Sequence, residues 1–141
     1  MGHKFLEHTA DVYISVNGST LEEAFEYAAL ATMEVITDPK KVDPHISEDF
    51  SIKSEDLENL LYLWIEEIII RVDAEGLLFT DFQVFNICYF EHEWNLSAKI
   101  LGEKFNSDKH EQRQHVKAIT YHMMEIYIEK GGYMLKFVLD V

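Results

Sequence analysis

Asp11 opens a strictly alternating segment near the start of the chain, and Asp140 closes another at its end, with Val141 directly after it. Both aspartates fall on the polar side of their alternation. If the first and last strands are neighbours, two carboxylates and the main-chain carboxylate beside Asp140 converge. A donor set made only of oxygen suits a hard cation such as Ca²⁺ or Mg²⁺ and does not select zinc. Two unrelated surface carboxylates give the same pattern, and spacing alone favours that reading, because the two lie at opposite ends of the chain. Lys117 stands in Val116-Lys117-Ala118-Ile119-Thr120-Tyr121-His122, a β-type run with few cations nearby. A lone lysine there binds a phosphate, pairs with a carboxylate, acts as a nucleophile, or is simply solvated. Glu7-His8-Thr9-Ala10 precedes Asp11. In it Thr9 and Asp11 can organise a turn, and His8 is a candidate ligand, base or nucleotide contact.

Other chemistries find little support. The seven histidines (3, 8, 45, 92, 110, 115 and 122) lack metal-site spacing; His110 and His115, five apart in a polar stretch, are a weak pair. Cys88 is the single cysteine, so an internal disulfide and a thiolate metal cluster are excluded. In Ile87-Cys88-Tyr89-Phe90 it reads as a small packed hydrophobe. The six glycines are dispersed, so there is no Gly-rich phosphate loop, and no G-x-S-x-G elbow occurs.

The elements that must position these residues follow from periodicity. Val12, Ile14 and Val16 alternate with Asp11, Tyr13, Ser15 and Asn17, which predicts a half-buried strand stopped by Asn17-Gly18. Ser19/Glu22 and Thr20/Glu23 both fit a capping box. Leu21, Ala24, Phe25, Ala28 and Thr32 then predict a helix that ends before Asp38-Pro39. Residues 39–50 read as a loop into a short strand near Phe50 and Ile52. Leu57, Leu60, Leu61, Trp64, Ile65, Ile68, Ile69 and Val72 predict a second amphipathic helix, begun by Glu55-Asp56 and left at Gly76. Five or so strands follow, over 79–90, 94–100, 116–121, 124–128 and 133–140, with a hairpin link at Gly131-Gly132. The expectation is one domain over 1–141. Its class is α+β, two amphipathic helices on a largely antiparallel or mixed sheet in a two-layer sandwich.

Composition narrows the function. With 26 acidic against 12 basic residues the net charge is −14, and 48% of residues are hydrophobic and 13% aromatic, ample for a core. Residues 1–74 hold 16 acids and 5 bases, so the first half dominates any steering toward a positive partner. Such a chain does not grip a phosphate backbone or an anionic membrane by itself. The first residues lack the apolar core of a signal peptide, and no stretch approaches the roughly 20 apolar residues of a membrane span, so a cytoplasmic location is expected.

The same residues carry a resemblance. Glu7-His8-Thr9-Ala10-Asp11-Val12, followed by Thr20-Leu21-Glu22-Glu23-Ala24-Phe25, resembles the opening of the archease family. So do Asp56-Leu57, Leu60-Leu61 and Trp64-Ile65-Glu66-Glu67, then Gly102-Glu103, Lys117 through His122, and a terminal Asp140-Val141. The resemblance implies an accessory protein, not an enzyme, that acts on the RtcB-type RNA ligase joining tRNA halves. It would promote guanylylation of that ligase on a histidine, sustain multiple turnover and broaden its nucleotide use. It implies a divalent-cation site at Asp11, Asp140 and Val141, with Ca²⁺ ahead of Mg²⁺, and an activating basic residue at Lys117. One departure is Tyr13, where the family often has glycine. Two other readings stay open: a stand-alone metal-dependent nucleotide or phosphate enzyme, and a chaperone-like modulator of nucleic-acid-processing proteins.

Overall fold

In the computed structural model, which describes residues 10–141, the first alternating run forms β1 (Asp11–Gly18) and leads into α1 (Leu21–Ile36). Of the two capping boxes, Thr20/Glu23 is the one used. Thr20 Oγ1 accepts from the Glu23 N–H at 3.0 Å, while the Glu23 carboxylate accepts from the Ser19 N–H at 2.8 Å. Glu22 turns elsewhere, as described below. β2 (Ile46–Ser54) is longer than expected, and a 3₁₀ turn at Pro39–Lys41 occupies the preceding loop. α2 (Leu57–Glu75) starts where the Asp56 carboxylate accepts from the Asn59 N–H at 2.7 Å, and it stops at Gly76 in the left-handed region (φ 64°).

Four strands follow, not five: β3 (Leu77–Phe90), β4 (Glu93–Lys104), β5 (Ala118–Glu129) and β6 (Gly132–Asp140). The two expected segments 116–121 and 124–128 are one strand. Its pairing to β6 is interrupted between Thr120 and Glu125, where Met123 takes a positive φ of 59°. That irregularity mimics a turn in sequence.

The strands separate into two three-stranded antiparallel sheets, β1-β6-β5 and β2-β4-β3. The class is α+β as expected, but the single sheet becomes two. Among the described residues no strand of one sheet contacts a strand of the other. α1 lies against β1, β6 and β3, and α2 against β5, β2, β4 and β3, so the helix pair joins the sheets. This explains why both helices bury wide stripes, with Phe25, Ala28, Met33, Leu60, Leu61, Trp64, Ile65 and Ile68 fully inside. The Trp64 indole N–H donates to the Phe25 carbonyl at 2.9 Å and ties the helices together.

Two local devices hold the strands in place. Gly102, in the central strand β4, lies so close to β3 that a Cβ would sit 1.8 Å from the Leu78 carbonyl oxygen; only glycine fits. On β3, α1 supplies acceptors: the Val84 N–H donates to Glu26 at 2.8 Å and the Ile87 N–H to Glu22 at 3.0 Å. They flank the register shift between Val84 and Asn86 and satisfy backbone donors that the ladder leaves over.

Candidate functional site

The pairing of β1 with β6 sets Asp11 directly opposite Asp140, and β5 sets Ala118 opposite Asp140 from the other side. Directly opposed residues share a face with Cα atoms about 4.5–5.5 Å apart. The two aspartates that bracket the sequence are therefore neighbours at one end of the first sheet, on the side away from the helices. Backbone bonds pin that end: the Lys117 N–H donates to the Asp140 carbonyl at 2.7 Å and the Val141 N–H to the Ala10 carbonyl at 3.2 Å. Asp11 is exposed, whereas Asp140 and Val141 are half-buried. Asp140 Oδ1 is buried without any hydrogen-bond partner among the described residues. A buried carboxylate oxygen lacking a donor is costly, and a second carboxylate across the ladder adds repulsion. A hard cation bound between them would answer both, so the donor set fits one.

Lys117 stands at the same sheet end, exposed and one residue before β5 begins. Lys117 lines a cleft of about 270 Å³ with Glu66, Ile69, Ile70 and Asp73 of α2. The segment 105–117 delivers it there by crossing the helix C-termini. In that segment the Arg113 and Gln114 N–H groups donate to the Ile36 and Val35 carbonyls at 3.0 and 3.1 Å, and the Arg113 guanidinium donates to the Glu34 carbonyl at 2.8 Å. These bonds satisfy the last carbonyls of α1, so the strap and the helix end fix each other. Tyr13 lies two residues from Asp11 on the carboxylate face, opposite Val138, and is 49% exposed. His8, Glu7 and Thr9 lie outside the described residues.

A second carboxylate cluster escaped the sequence reading. Asp43, His45 and Glu103 bring donor atoms within 4.8 Å of one another, a grouping that resembles a metal site. Its centre is already filled. Lys109 Nζ lies 2.6 Å from Asp43 and 2.7 Å from Glu103, and Glu103 also accepts from the Asp43 N–H at 2.8 Å and faces His110 Nε2 at 2.8 Å. The Lys109 ammonium, then the Asp43 N–H and the His110 ring, hold the Glu103 carboxyl down to about 2, against the opposing effect of burial. His110, read as half of a weak histidine pair, is buried, and its Nδ1 accepts from the Asn106 N–H at 2.9 Å. His115 is elsewhere, 3.3 Å from Asp73. The cluster anchors the strap that carries Lys117. Cys88 is only half-buried, with the Asn86 amide 3.4 Å from its sulfur.

Fold and site together define a two-helix, two-sheet α+β protein with paired carboxylates and an exposed lysine at one sheet end. Residues 3–141 match the profile of the archease protein family (MTH1598/TM1083), and this chain belongs to that family. It is 48% identical over 138 residues to protein archease of Sulfurisphaera tokodaii, covering 98% of this chain and 97% of the relative. It is 45% identical over 136 residues to that of Pyrococcus furiosus, covering 96% and 95%. The solution structure of Methanobacterium thermoautotrophicum protein 1598 superimposes with a TM-score of 0.83 at 39% identity, over 96% of each chain. The crystal structure of a Thermotoga maritima archease, described as a possible chaperone, gives 0.65 at 20% identity over 100% of this chain and 98% of that one; it supports the fold alone. No helix among the described residues is long and apolar enough to cross a membrane.

Proposed function

We propose that this chain is a cytoplasmic accessory protein of an RtcB-type RNA ligase, promoting ligase guanylylation and multiple turnover and broadening its nucleotide use, and that it is not itself an enzyme. Family membership supports the class of protein. The observation that carries the site is the buried Oδ1 of Asp140, without a partner among the described residues, directly across the ladder from Asp11. Asp11, Asp140 and the main-chain oxygen of Val141 would hold a divalent cation, Ca²⁺ ahead of Mg²⁺. When bound, it supplies positive charge where phosphates are handled.

The chain's own residues do the rest. Nucleotidyl transfer depends mainly on positioning and charge stabilisation. Lys117 adds a positive charge at the same sheet end, so a ligase groove closing around that end meets both. The net charge of −14 keeps the protein from competing for the RNA itself.

The test is multiple-turnover ligation by the cognate ligase with and without this protein. Lys117→Ala keeps the fold, because an exposed lysine contributes little packing. It abolishes the acceleration of guanylylation and leaves joining by pre-guanylylated ligase unchanged. If the variant activates as well as the parent, Lys117 is structural and the reading fails. A burst of GTP turnover by the protein alone would transfer the case to the stand-alone enzyme reading.

A further inference from the structure

The outward side of α2 carries Asn59, Tyr62, Glu66, Ile70 and Asp73 at successive helical steps, alongside β5. At one end the Tyr62 and Tyr121 rings are stacked, 4.2 Å apart and 5° from parallel, and the Tyr121 hydroxyl donates to the Asn59 side chain. At the other end is the cleft lined by Glu66, Ile70, Asp73 and Lys117. Ile70 is 46% exposed, Tyr121 53% and Met123 51%, an uncommon run of open apolar surface beside a half-open cleft. The rim is acidic. Burial, and then the charge of Glu66, raises the Tyr62 phenol above its ordinary range, while burial, Tyr62, Asp56 and Glu66 raise that of Tyr121. Asp73 closes the far end, 3.3 Å from His115.

An acidic rim around an apolar centre rejects a phosphate backbone and suits a protein surface that presents an apolar side chain among Lys and Arg. The excursion of β5 at Tyr121–Met124 breaks the strand's edge, so a partner docks here by side chains and not by adding a strand. Lys117 lies in both the cleft and the proposed site, which joins this surface to the chemistry.

We propose that the α2–β5 face is the docking surface for the RNA ligase, with an apolar ligase side chain seated against Ile70 and basic ligase groups facing Glu66 and Asp73. This rests on the ligase-accessory reading above.

Binding of the full-length protein to purified cognate ligase, measured by calorimetry at several salt concentrations, tests it. The parent's affinity should fall with salt. Ile70→Arg should weaken binding at least tenfold, and Glu66→Lys should do so while flattening the salt dependence; both should melt with the parent. Phe90→Arg, at an exposed position on β3, should bind normally. Should Ile70→Arg melt early, Glu66→Lys alone decides. If both variants bind like the parent while Lys117→Ala still abolishes guanylylation, this surface is wrong and the proposed function stands. If the parent neither binds nor stimulates the ligase, both fall. Retention of single-stranded RNA, lost in Ile70→Arg, would also overturn the proposal.

Discussion

Glu103 and Asp140 are both carboxylates at the ends of β-strands, each with an aspartate close by, yet their surroundings are opposite. Glu103 receives the Lys109 ammonium, the Asp43 N–H and the His110 ring, and its side chain is 13% exposed. Asp140 faces Asp11 across the ladder and leaves one buried oxygen with no partner among the described residues. In the first cluster the chain has supplied its own cation. In the second, none of the described residues supplies one. A cluster whose hydrogen bonds close on themselves holds the molecule together, whereas one left open is where a ligand can contribute.

The largest test of that contrast removes the buried ring of the closed cluster. His110→Ala takes out a fully buried ring and two hydrogen bonds, and should lower stability by about 2–4 kcal/mol in urea titration. The response to added cation should persist. A loss below about 1 kcal/mol would mean that the cluster is not the anchor of the strap.

Next in size is the open cluster. A native-state ligand at 100 times its dissociation constant stabilises by about 2.7 kcal/mol, which for this length raises the melting temperature by roughly 5–10 °C. Ca²⁺ or Mg²⁺ should do this for the parent, and Asp140→Asn should remove most of the gain. An equal cation response in the variant would place the ion elsewhere.

The two clusters also differ in how legible they were. β1, α1 and α2 follow from local periodicity, and the capping residues Thr20 and Asp56 act as their types suggest. Partition into two sheets did not, because alternation reports faces and not neighbours. β5 read as two strands since the four residues at its irregularity carry no alternation. Asp11 and Asp140 were identifiable as polar-face residues, and only the β1–β6 pairing makes them opposites. That Lys117 lines a cleft beside α2 depends on the strap that leads into β5. The Glu103 cluster draws on β4, the strap and the loop before β2. Its only trace in the sequence is an acid at a strand end followed by Lys109-His110 in a polar stretch.

Acid should separate the clusters by a smaller amount. The Glu103 carboxyl is held down to about 2, so its stabilisation is present in full above the ordinary carboxylate range and disappears as pH falls through about 2. Measured against Glu103→Gln, the parent's stability advantage should be constant from pH 7 to pH 5 and then shrink toward pH 2. A gap that stays level over that lower range would show that charge on Glu103 is not what stabilises the strap.

The smallest effect is also the one with an unexpected sign. In chelator, with no divalent cation to hold, the Asp11 and Asp140 charges repel across the ladder and only one of them is well exposed to water. Asp140→Asn removes that repulsion and gives the buried position an amide that can donate to Asp11. The variant should then be as stable as the parent or more so by a few tenths of a kcal/mol, with the difference fading as salt screens the pair. Adding cation should reverse the order, because only the parent binds it. For a carboxylate kept for folding, as Glu103 is, the same amide substitution costs stability under every condition near neutral pH. A loss of more than about 1 kcal/mol for Asp140→Asn in chelator would therefore put Asp140 in the structural class with Glu103 and remove the physical case for a cation at this sheet end.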